Sequence, residues 1–227
     1  MKAGFTYIMM LIDRSGSMSR LRDDTIGGFN TFIAEQRKVP GKAVLTLAQF
    51  DDQFQIDYEA KDILVVPDLT PETFVPRGGT ALRDALARLM ISSGAKLSAM
   101  PEDERPENVI CVVITDGREN ASKETPANIL KEMIDLQTNK YNWKFLFLGA
   151  NMDATLVGGA LGMPGLSYKA TGGGILRSMD TVSSYIGNSR TGNVVGAKAI
   201  LNSRDVDDEA TLHASKEFKR ELNKKKN

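Results

Sequence analysis

Apolar residues follow two alternating patterns along the chain. Continuous apolar runs occupy residues 5–12, 109–115 and 144–148, as is typical of strands buried on both faces of a sheet. Between these runs, apolar residues recur at the three- and four-residue spacing of amphipathic helices. Strands that alternate with helices predict an α/β fold with a doubly wound, mostly parallel central sheet and helices on both faces, as in Rossmann-like proteins.

The other apolar patterns predict an edge hairpin, a last strand, a last helix and the inward-facing positions of the helices. Residues 44–50 and 54–58 alternate apolar and polar positions around a short polar turn, which predicts one antiparallel edge strand. Residues 166–169 are predicted as a short last strand and residues 175–186 as the last helix. The predicted inward positions of the helices are Leu21, Thr25, Phe29, Phe32, Ile33, Leu82, Ala85, Leu86, Leu89, Met90, Ile129, Leu130, Met133, Ile134, Leu176, Met179 and Val182.

The helical pattern weakens after Gly187. The remaining segment is polar and carries no sustained apolar stripe. We therefore expect one domain over residues 1–187, followed by a polar C-terminal tail over residues 188–227 that is loosely packed or partly helical.

Charge and cysteine content narrow the function classes. Among 227 residues, Lys and Arg together number 29 and Asp and Glu also number 29, so no net charge favours nucleic acid or an acidic membrane as a partner. The single cysteine excludes an internal disulfide, as is typical of a reducing compartment. The first apolar run is too short for a signal peptide and lacks a cleavage pattern. We expect a cytoplasmic protein, with its oligomeric state left open.

Polar residues follow two of the predicted core strands directly. Asp13 ends the first apolar run and is followed by Ser15 and Ser17, while Asp116 ends the run at residues 109–115. Taken alone, an acid followed by two serines indicates a helix cap, a nucleophile turn or half of a metal site. If the two strands are neighbours at the point where strand order reverses, both carboxylates lie in one crevice at the carboxyl edge of the sheet.

Thr80 belongs to the same layer of loops, because it follows a Gly-Gly turn and precedes a predicted helix. The crevice would then collect five oxygen donors and no histidine or cysteine: Asp13, Ser15, Ser17, Thr80 and Asp116. Oxygen donors with few carboxylates suit Mg²⁺ or Mn²⁺ better than zinc or copper. The sequence therefore predicts a metal site for one of these ions.

These motifs, in this order, resemble the von Willebrand factor A domain family. The residues that carry the resemblance are Asp13-x-Ser15-x-Ser17, Gly78-Gly79-Thr80 and Thr115-Asp116-Gly117, which match the metal-ion-dependent adhesion site of that family. The similarity covers roughly residues 5–186. The later stretch Phe-Leu-Gly-Ala-Asn-Met-Asp is similar to the stand-alone bacterial and phage members.

The resemblance implies a role for each residue. Ser15 and Ser17 would bind the metal through their hydroxyls, Asp13 and Asp116 mostly through bound waters, and Thr80 directly or through water. The sixth coordination position would accept an exposed Asp or Glu of a partner protein. The implied function is a metal-dependent protein-binding module. We expect no enzymatic activity, because no acid–base pair accompanies Asp13.

Two alternatives come from other functional classes. Asp13 is placed like the phosphoryl-accepting nucleophile of an Mg²⁺-dependent hydrolase. In that design, however, a second Asp stands two residues later, where this chain has Ser15. The third class is a structural subunit whose metal only stabilises the fold.

Several other polar residues have less specific interpretations. Arg14 is expected to point to solvent, and Glu119 and Asn120 are expected to be solvated loop residues. Cys111 lies in an apolar run and is predicted to be a core residue. His213, the only histidine, lies in the polar tail and is a poor catalytic candidate.

Overall fold

The structure is a computed structural model that describes residues 1–224. Its six strands form one sheet: β1 (Lys2–Asp13), β2 (Lys42–Phe50), β3 (Phe54–Asp62), β4 (Pro106–Thr115), β5 (Lys144–Ala150) and β6 (Gly165–Tyr168). The order across the sheet is β3-β2-β1-β4-β5-β6, with β3 antiparallel and all other pairs parallel. The predicted fold class and its antiparallel edge strand are confirmed.

Strand order reverses between β1 and β4, which are hydrogen-bonded neighbours. In this register Ile12 pairs with Ile114, so Asp13 and Asp116 follow adjacent strands at the same carboxyl edge. The chain leaves β1 toward β2 on one side and leaves β4 toward β5 on the other. This divergence opens a crevice above the two strand ends, which is where ligands bind in open α/β sheets.

The sheet is buried on both faces because β1 sends alternate side chains into two separate cores. Ile8, Met10 and Ile12 belong to one apolar cluster, and Met9 and Leu11 belong to the other. This explains why β1 is a continuous apolar run rather than an alternating one.

Residues 1–224 form seven α-helices around the sheet: α1 (Arg22–Gln36), α2 (Leu82–Ala99), α3 (Ala127–Tyr141), α4 (Ala154–Ala160), α5 (Gly172–Arg190), α6 (Val194–Leu201) and α7 (Glu209–Lys224). Most predicted inward positions are buried, and Met133 is half-buried. Two predictions are wrong: Ile129 and Leu176 are 43% and 44% exposed. Ile129 and Leu176 each lie at the edge of the buried face of their helix, so the helical spacing of apolar residues wrongly placed them on that face. No helix among residues 1–224 has the length and apolarity needed to cross a bilayer.

The segment predicted as a polar tail packs on the domain. α5 continues past Gly187 to Arg190, and α6 and α7 follow it. Ile200, Val206 and Ala214 belong to the same apolar cluster as α1 and α5. The tail is therefore helical but not loosely packed. Residues 225–227 of the predicted tail lie outside the described residues.

Small residues explain why this packing was not visible in the sequence. The buried face of α7 consists of two large apolar residues, Phe218 and Leu222, with Thr211, Ala214 and Ser215. Phe218 lies against Gly187, where a Cβ atom would meet its ring at 2.0 Å. A glycine and a short stripe of small residues allow close packing without a marked apolar pattern.

Candidate metal centre

The loop after β1 is organised around the Asp13 carboxylate. The Ser15 backbone N–H donates to Asp13 Oδ1 at 2.6 Å, which turns the chain sharply after the strand. A short 3-10 helix, Gly16–Leu21, begins directly afterwards. Asp13 and Ser15 are buried, whereas Ser17 lies at the exposed mouth of the turn.

Side-chain hydrogen bonds join this loop to the end of β4. Ser17 Oγ donates to Asp116 Oδ1 at 2.5 Å, and the Ser15 and Ser17 hydroxyl oxygens lie 3.1 Å apart. The Thr115 hydroxyl donates to Asp13 Oδ2. The two acids and two serines predicted from the sequence therefore lie in one hydrogen-bonded group.

Thr80 approaches the same group from a third loop. A Cβ atom placed on Gly117 would lie 2.9 Å from Thr80 Oγ1, 3.5 Å from Asp13 Oδ2 and 3.6 Å from Ser17 Oγ. Because glycine has no Cβ, oxygen atoms from three loops border the same small space. All five predicted residues are thus brought together by the structure.

Both carboxylates of the centre are buried. Desolvation raises the pKa of Asp13 to about 6, although the hydrogen bonds from Thr115 and Ser15 oppose the rise. Asp116 Oδ2 is buried and accepts no hydrogen bond. Its nearest cation is the Arg20 guanidinium at 3.6 Å, on a side chain that is 60% exposed. The centre thus contains a carboxylate oxygen without a hydrogen-bond partner and a second carboxylate that desolvation destabilises.

The donor set fits a divalent cation that prefers oxygen. Three hydroxyls and two carboxylates match the ligands of Mg²⁺ and Mn²⁺ and exclude a sulfur- or imidazole-based site. In the described part of the chain, no three His, Cys, Asp or Glu residues are grouped as a metal site. A cation at the crevice would therefore depend on the serine and threonine hydroxyls as well as on Asp13 and Asp116.

Arg14 is buried rather than pointing to solvent, so its prediction is wrong. Its Nε donates to Asp51 Oδ2 at 3.1 Å and its Nη1 donates to Gln55 Oε1 at 2.9 Å. Asp51 also accepts from Arg77 Nε at 2.8 Å. Burial alone would raise the pKa of Asp51, but the hydrogen bonds from Arg77 and Gln53 and the charge of Arg14 hold it below its usual value.

This buried network connects two of the three loops at the centre. The Arg77 N–H donates to the Arg14 carbonyl at 2.7 Å, and the Gly16 N–H donates to the Gly78 carbonyl at 3.1 Å. Gly78 has φ +65°, the left-handed region that favours glycine. Arg14 therefore fixes the loop that carries Ser15 and Ser17 relative to the turn before Thr80. No local pattern indicated the partner of Arg14, because Asp51 lies in a different loop.

Glu119 and Asn120 also have structural roles that the sequence did not indicate. Asn120 Oδ1 accepts from the Thr80 N–H at 2.9 Å, and the Asn120 N–H donates to the Thr80 carbonyl. Glu119 accepts from the Arg83 N–H at the start of α2. Burial raises the pKa of Glu119, but the hydrogen bonds from Ser122 and from the Arg83 N–H outweigh it and hold the pKa below its usual value. The loop after Asp116 thereby clamps the Thr80 turn.

Thr115 and Tyr168 support the end of β4. Thr115 Oγ1 donates to Asp13 and accepts from the Gly117 N–H at 3.0 Å, and the Tyr168 hydroxyl donates to the Thr115 carbonyl at 3.1 Å. Thr115 directly precedes Asp116, and this adjacency was the only sequence signal for it. Tyr168 reaches the centre from β6, and no local motif indicates that contact.

The two remaining titratable candidates lie away from the centre. Cys111 is fully buried in β4, as predicted, and burial raises the pKa of its thiol to about 12. His213 is exposed on α7, where its nearest acid is Glu217 at 4.0 Å.

Comparison with solved structures relates this fold to known proteins, whereas no family model and no curated protein matches the sequence. A von Willebrand factor type A protein from Catenulispora acidiphila matches with a TM-score of 0.52 and 17% identity, over 78% of this chain and 42% of that protein. The vWF domain of the type V pili tip protein Mfa5 from Porphyromonas gingivalis matches with a TM-score of 0.54 and 9% identity, over 81% of this chain and 95% of that domain.

A mussel byssus protein also matches the fold. Proximal thread matrix protein 1, solved with a zinc-occupied MIDAS motif, matches with a TM-score of 0.51 and 18% identity, over 80% of this chain and 45% of that protein. The chain thus spans less than half the length of this protein and of the Catenulispora protein. Together with the sheet order and the crevice between β1 and β4, these matches show that the chain has the von Willebrand factor A fold.

Proposed function

We propose that the protein is a metal-dependent protein-binding module, in which Asp13, Ser15, Ser17, Thr80 and Asp116 hold Mg²⁺ or Mn²⁺. The observation that carries this proposal is the convergence of oxygen atoms from three loops around Gly117, with one oxygen of Asp116 lacking a hydrogen-bond partner. A bound cation would satisfy that oxygen and offset the charge of both buried carboxylates. We expect weak affinity, in the micromolar to millimolar range, because few charged groups contribute.

The partner is proposed to supply a carboxylate. A cation held largely by neutral hydroxyls keeps much of its positive charge and favours one more anionic ligand. Ser17 and Arg20 lie at the exposed mouth of the centre, where an Asp or Glu side chain of another protein has access. One similar domain belongs to a pili tip protein and another similar protein is a thread matrix protein of the mussel byssus, which supports a protein partner in general terms.

We propose that the chain is not an enzyme. Both carboxylate oxygens of Asp13 already accept hydrogen bonds, from the Ser15 N–H and the Thr115 hydroxyl. These bonds orient the carboxylate but leave a lone pair on each oxygen, so they do not by themselves exclude nucleophilic attack. A phosphoryl-transfer site, however, also needs an acid near the leaving group. Ser15 occupies the position of that acid, and His213 lies on α7 with its side chain 77% exposed. We also retain the cytoplasmic location as a proposal, based on the single buried Cys111.

Affinity capture from the native host tests this function. With the full chain as bait, Mg²⁺ should retain a partner that a chelator releases, and Asp13→Ala should lose that partner to the same extent. Asp57→Asn is a suitable control, because Asp57 is another carboxyl whose pKa burial raises, but it lies in β3, where it accepts hydrogen bonds from Gln49 and Gln55 rather than from a residue of the centre. Substitution of the partner's contacting Asp or Glu should weaken capture as much as chelation does.

Two outcomes would contradict the proposal. A partner that is retained equally in Mg²⁺ and in chelator would bind elsewhere on the surface. A metal that raises the melting temperature but changes no interaction would indicate the structural-subunit alternative instead.

A further inference from the structure

A cavity lies at the amino edge of the sheet, opposite the candidate metal centre. Its volume is about 310 Å³, at the lower end of the range for small-molecule sites. Lys144, the first residue of β5, lines this cavity, whereas the metal centre follows the last residues of β1 and β4. The other walls include the ends of α3 and α5 and the helix α6, which lies beyond the residues that resemble the von Willebrand factor A family.

Part of the cavity wall is aromatic and aliphatic. Trp143 and Phe145 line the cavity at the start of β5, Pro164 lines it from the loop before β6, and Val194 and Leu201 line it from α6. Flat aromatic side chains pack well against another ring. The apolar wall therefore favours a ligand with an aromatic body.

Another part of the wall is polar, because three side chains from one face of α5 line the cavity. They are Tyr185, Asn188 and Ser189, which are only 0%, 1% and 8% exposed. Asn188 Nδ2 forms no hydrogen bond within residues 1–224, and the hydroxyls of Tyr185 and Ser189 have at most each other as partners. Two hydroxyls that share one hydrogen bond leave one O–H free to donate.

Neighbouring hydrogen bonds fix the orientation of the Asn188 amide. The Gly196 N–H donates to Asn193 Oδ1 at 3.1 Å, so Asn193 Nδ2 is the donor that bonds to Asn188 Oδ1 at 2.9 Å. The unpaired atom of Asn188 is therefore its nitrogen, which can only donate. A buried donor without a partner costs free energy unless a ligand or a water molecule accepts from it.

The charged residues that line the cavity are both lysines. Lys144 is half-buried and donates to Asn108 Oδ1 at 2.6 Å, and Lys198 is exposed on α6. Among residues 1–224, no Asp or Glu lines the cavity. Burial lowers the pKa of Lys144 and the charge of Glu107 opposes this shift, but Glu107 accepts from the Gly4 N–H outside the cavity. The charge of the lining therefore favours an anion over a cation.

We infer that this cavity binds a small carboxylate with an aromatic body. The carboxylate accepts from Asn188 Nδ2 and from the free hydroxyl hydrogen of the Tyr185–Ser189 pair, and the two lysines supply the opposite charge. The ring packs against Trp143. This site is separate from the metal centre, so the inference does not rest on the proposed function.

The fluorescence of Trp143, the single tryptophan of the chain, reports on a ligand in the cavity. The full chain is titrated in chelator with benzoate, acetate, benzyl alcohol and benzylamine. Chelator is needed because a carboxylate also binds a cation at the metal centre. Benzoate should give a saturable change with a dissociation constant of about 1 mM, as expected of a ligand with few heavy atoms. The three other probes lack either the ring or the negative charge and should bind about fivefold more weakly or less.

Two substitutions assign the binding to this cavity. Because Lys198 is exposed, Lys198→Glu should fold, and it should weaken benzoate binding about fivefold by replacing an attractive charge with a repulsive one. Lys216→Glu is the matched control, since Lys216 is exposed on α7 and does not line the cavity, so benzoate binding should remain unchanged. Asn188→Ala removes the unpaired donor and should weaken benzoate binding about tenfold.

Three results would overturn the inference. Absence of a saturable change with benzoate would mean that only water occupies the cavity. Equal binding of benzoate and benzyl alcohol would mean that the site does not select an anion. Benzoate binding that both Lys198→Glu and Asn188→Ala leave unchanged would place the probe elsewhere, because Trp143 also lines a neighbouring cavity that contains Arg105 and Lys140. If Asn188→Ala does not fold, the comparison of Lys198→Glu with its control decides the question.

Discussion

Removal of all residues after Gly187 is expected to unfold the domain. The truncation deletes α6, α7 and Arg190, whose guanidinium donates to Gln36 and to the carbonyls of Val39 and Gly41. It also removes Ile200 and other apolar residues from the main core. Loss of a single large core side chain costs about 2–5 kcal/mol, against a total stability of about 5–15 kcal/mol. Thermal unfolding followed by circular dichroism measures the effect.

A pair of substitutions on α7 gives the same test in the full chain. Phe218→Ala should lower stability by about 3–5 kcal/mol, because the ring is buried against Gly187. Leu212→Ala, on the same helix but 37% exposed, should cost clearly less. A truncated chain with cooperative unfolding near the wild-type melting temperature would instead show that the domain folds without residues 188–227.

Asp13→Asn is expected to stabilise the metal-free protein while it abolishes the response to metal. The pKa of Asp13 is raised from 3.8 to about 6 in the folded state, so its ionisation opposes folding. The free-energy cost of ionising Asp13 in the folded state is small below pH 4 and grows as the pH rises from 4 to 6. Above pH 6 this cost reaches its full value of about 2–3 kcal/mol. Asparagine removes this penalty and keeps an oxygen that accepts from the Ser15 N–H.

The measurement is a set of thermal melts at pH 7.5 with chelator or with Mg²⁺. In chelator, Asp13→Asn should raise the melting temperature by roughly 5 °C. Added Mg²⁺ should raise it for the wild type and leave the variant unchanged. Asp57→Asn should keep the wild-type response to Mg²⁺. An Asp13→Asn variant that is still stabilised by Mg²⁺ would place the ion at another site.

The sequence predicted the parts of the fold that depend on local pattern. The strand that ends at Asp13 and the strand that ends at Thr115 are continuous apolar runs, and their polar successors were sufficient to predict a shared crevice. The hairpin around Asp51 followed from alternation. These features need no information about distant contacts. A strand that is buried on both faces is apolar at every position, and a strand that is buried on one face alternates apolar and polar residues.

The features that were missed depend on contacts between distant residues. Arg14 was expected in solvent because arginine is rarely buried unless paired, and its partner Asp51 belongs to a loop that only the sheet order brings close. Likewise, Asn120 holds the Thr80 turn from a separate loop. α7 was missed because Ala214 and Ser215 pack closely without forming a recognisable apolar stripe. Local pattern thus located the candidate centre but not the residues that fix its geometry.

The central claim is that a divalent cation binds among the five predicted residues, and its position is the most direct test. Crystals prepared with Mn²⁺ allow the ion to be located by anomalous scattering. We predict one peak within coordination distance, about 2.1 Å for an ion of this kind, of the Ser15 and Ser17 hydroxyls, next to Asp13, Thr80 and Asp116. Absence of that peak at a saturating Mn²⁺ concentration, or a single peak at another site, would contradict the account.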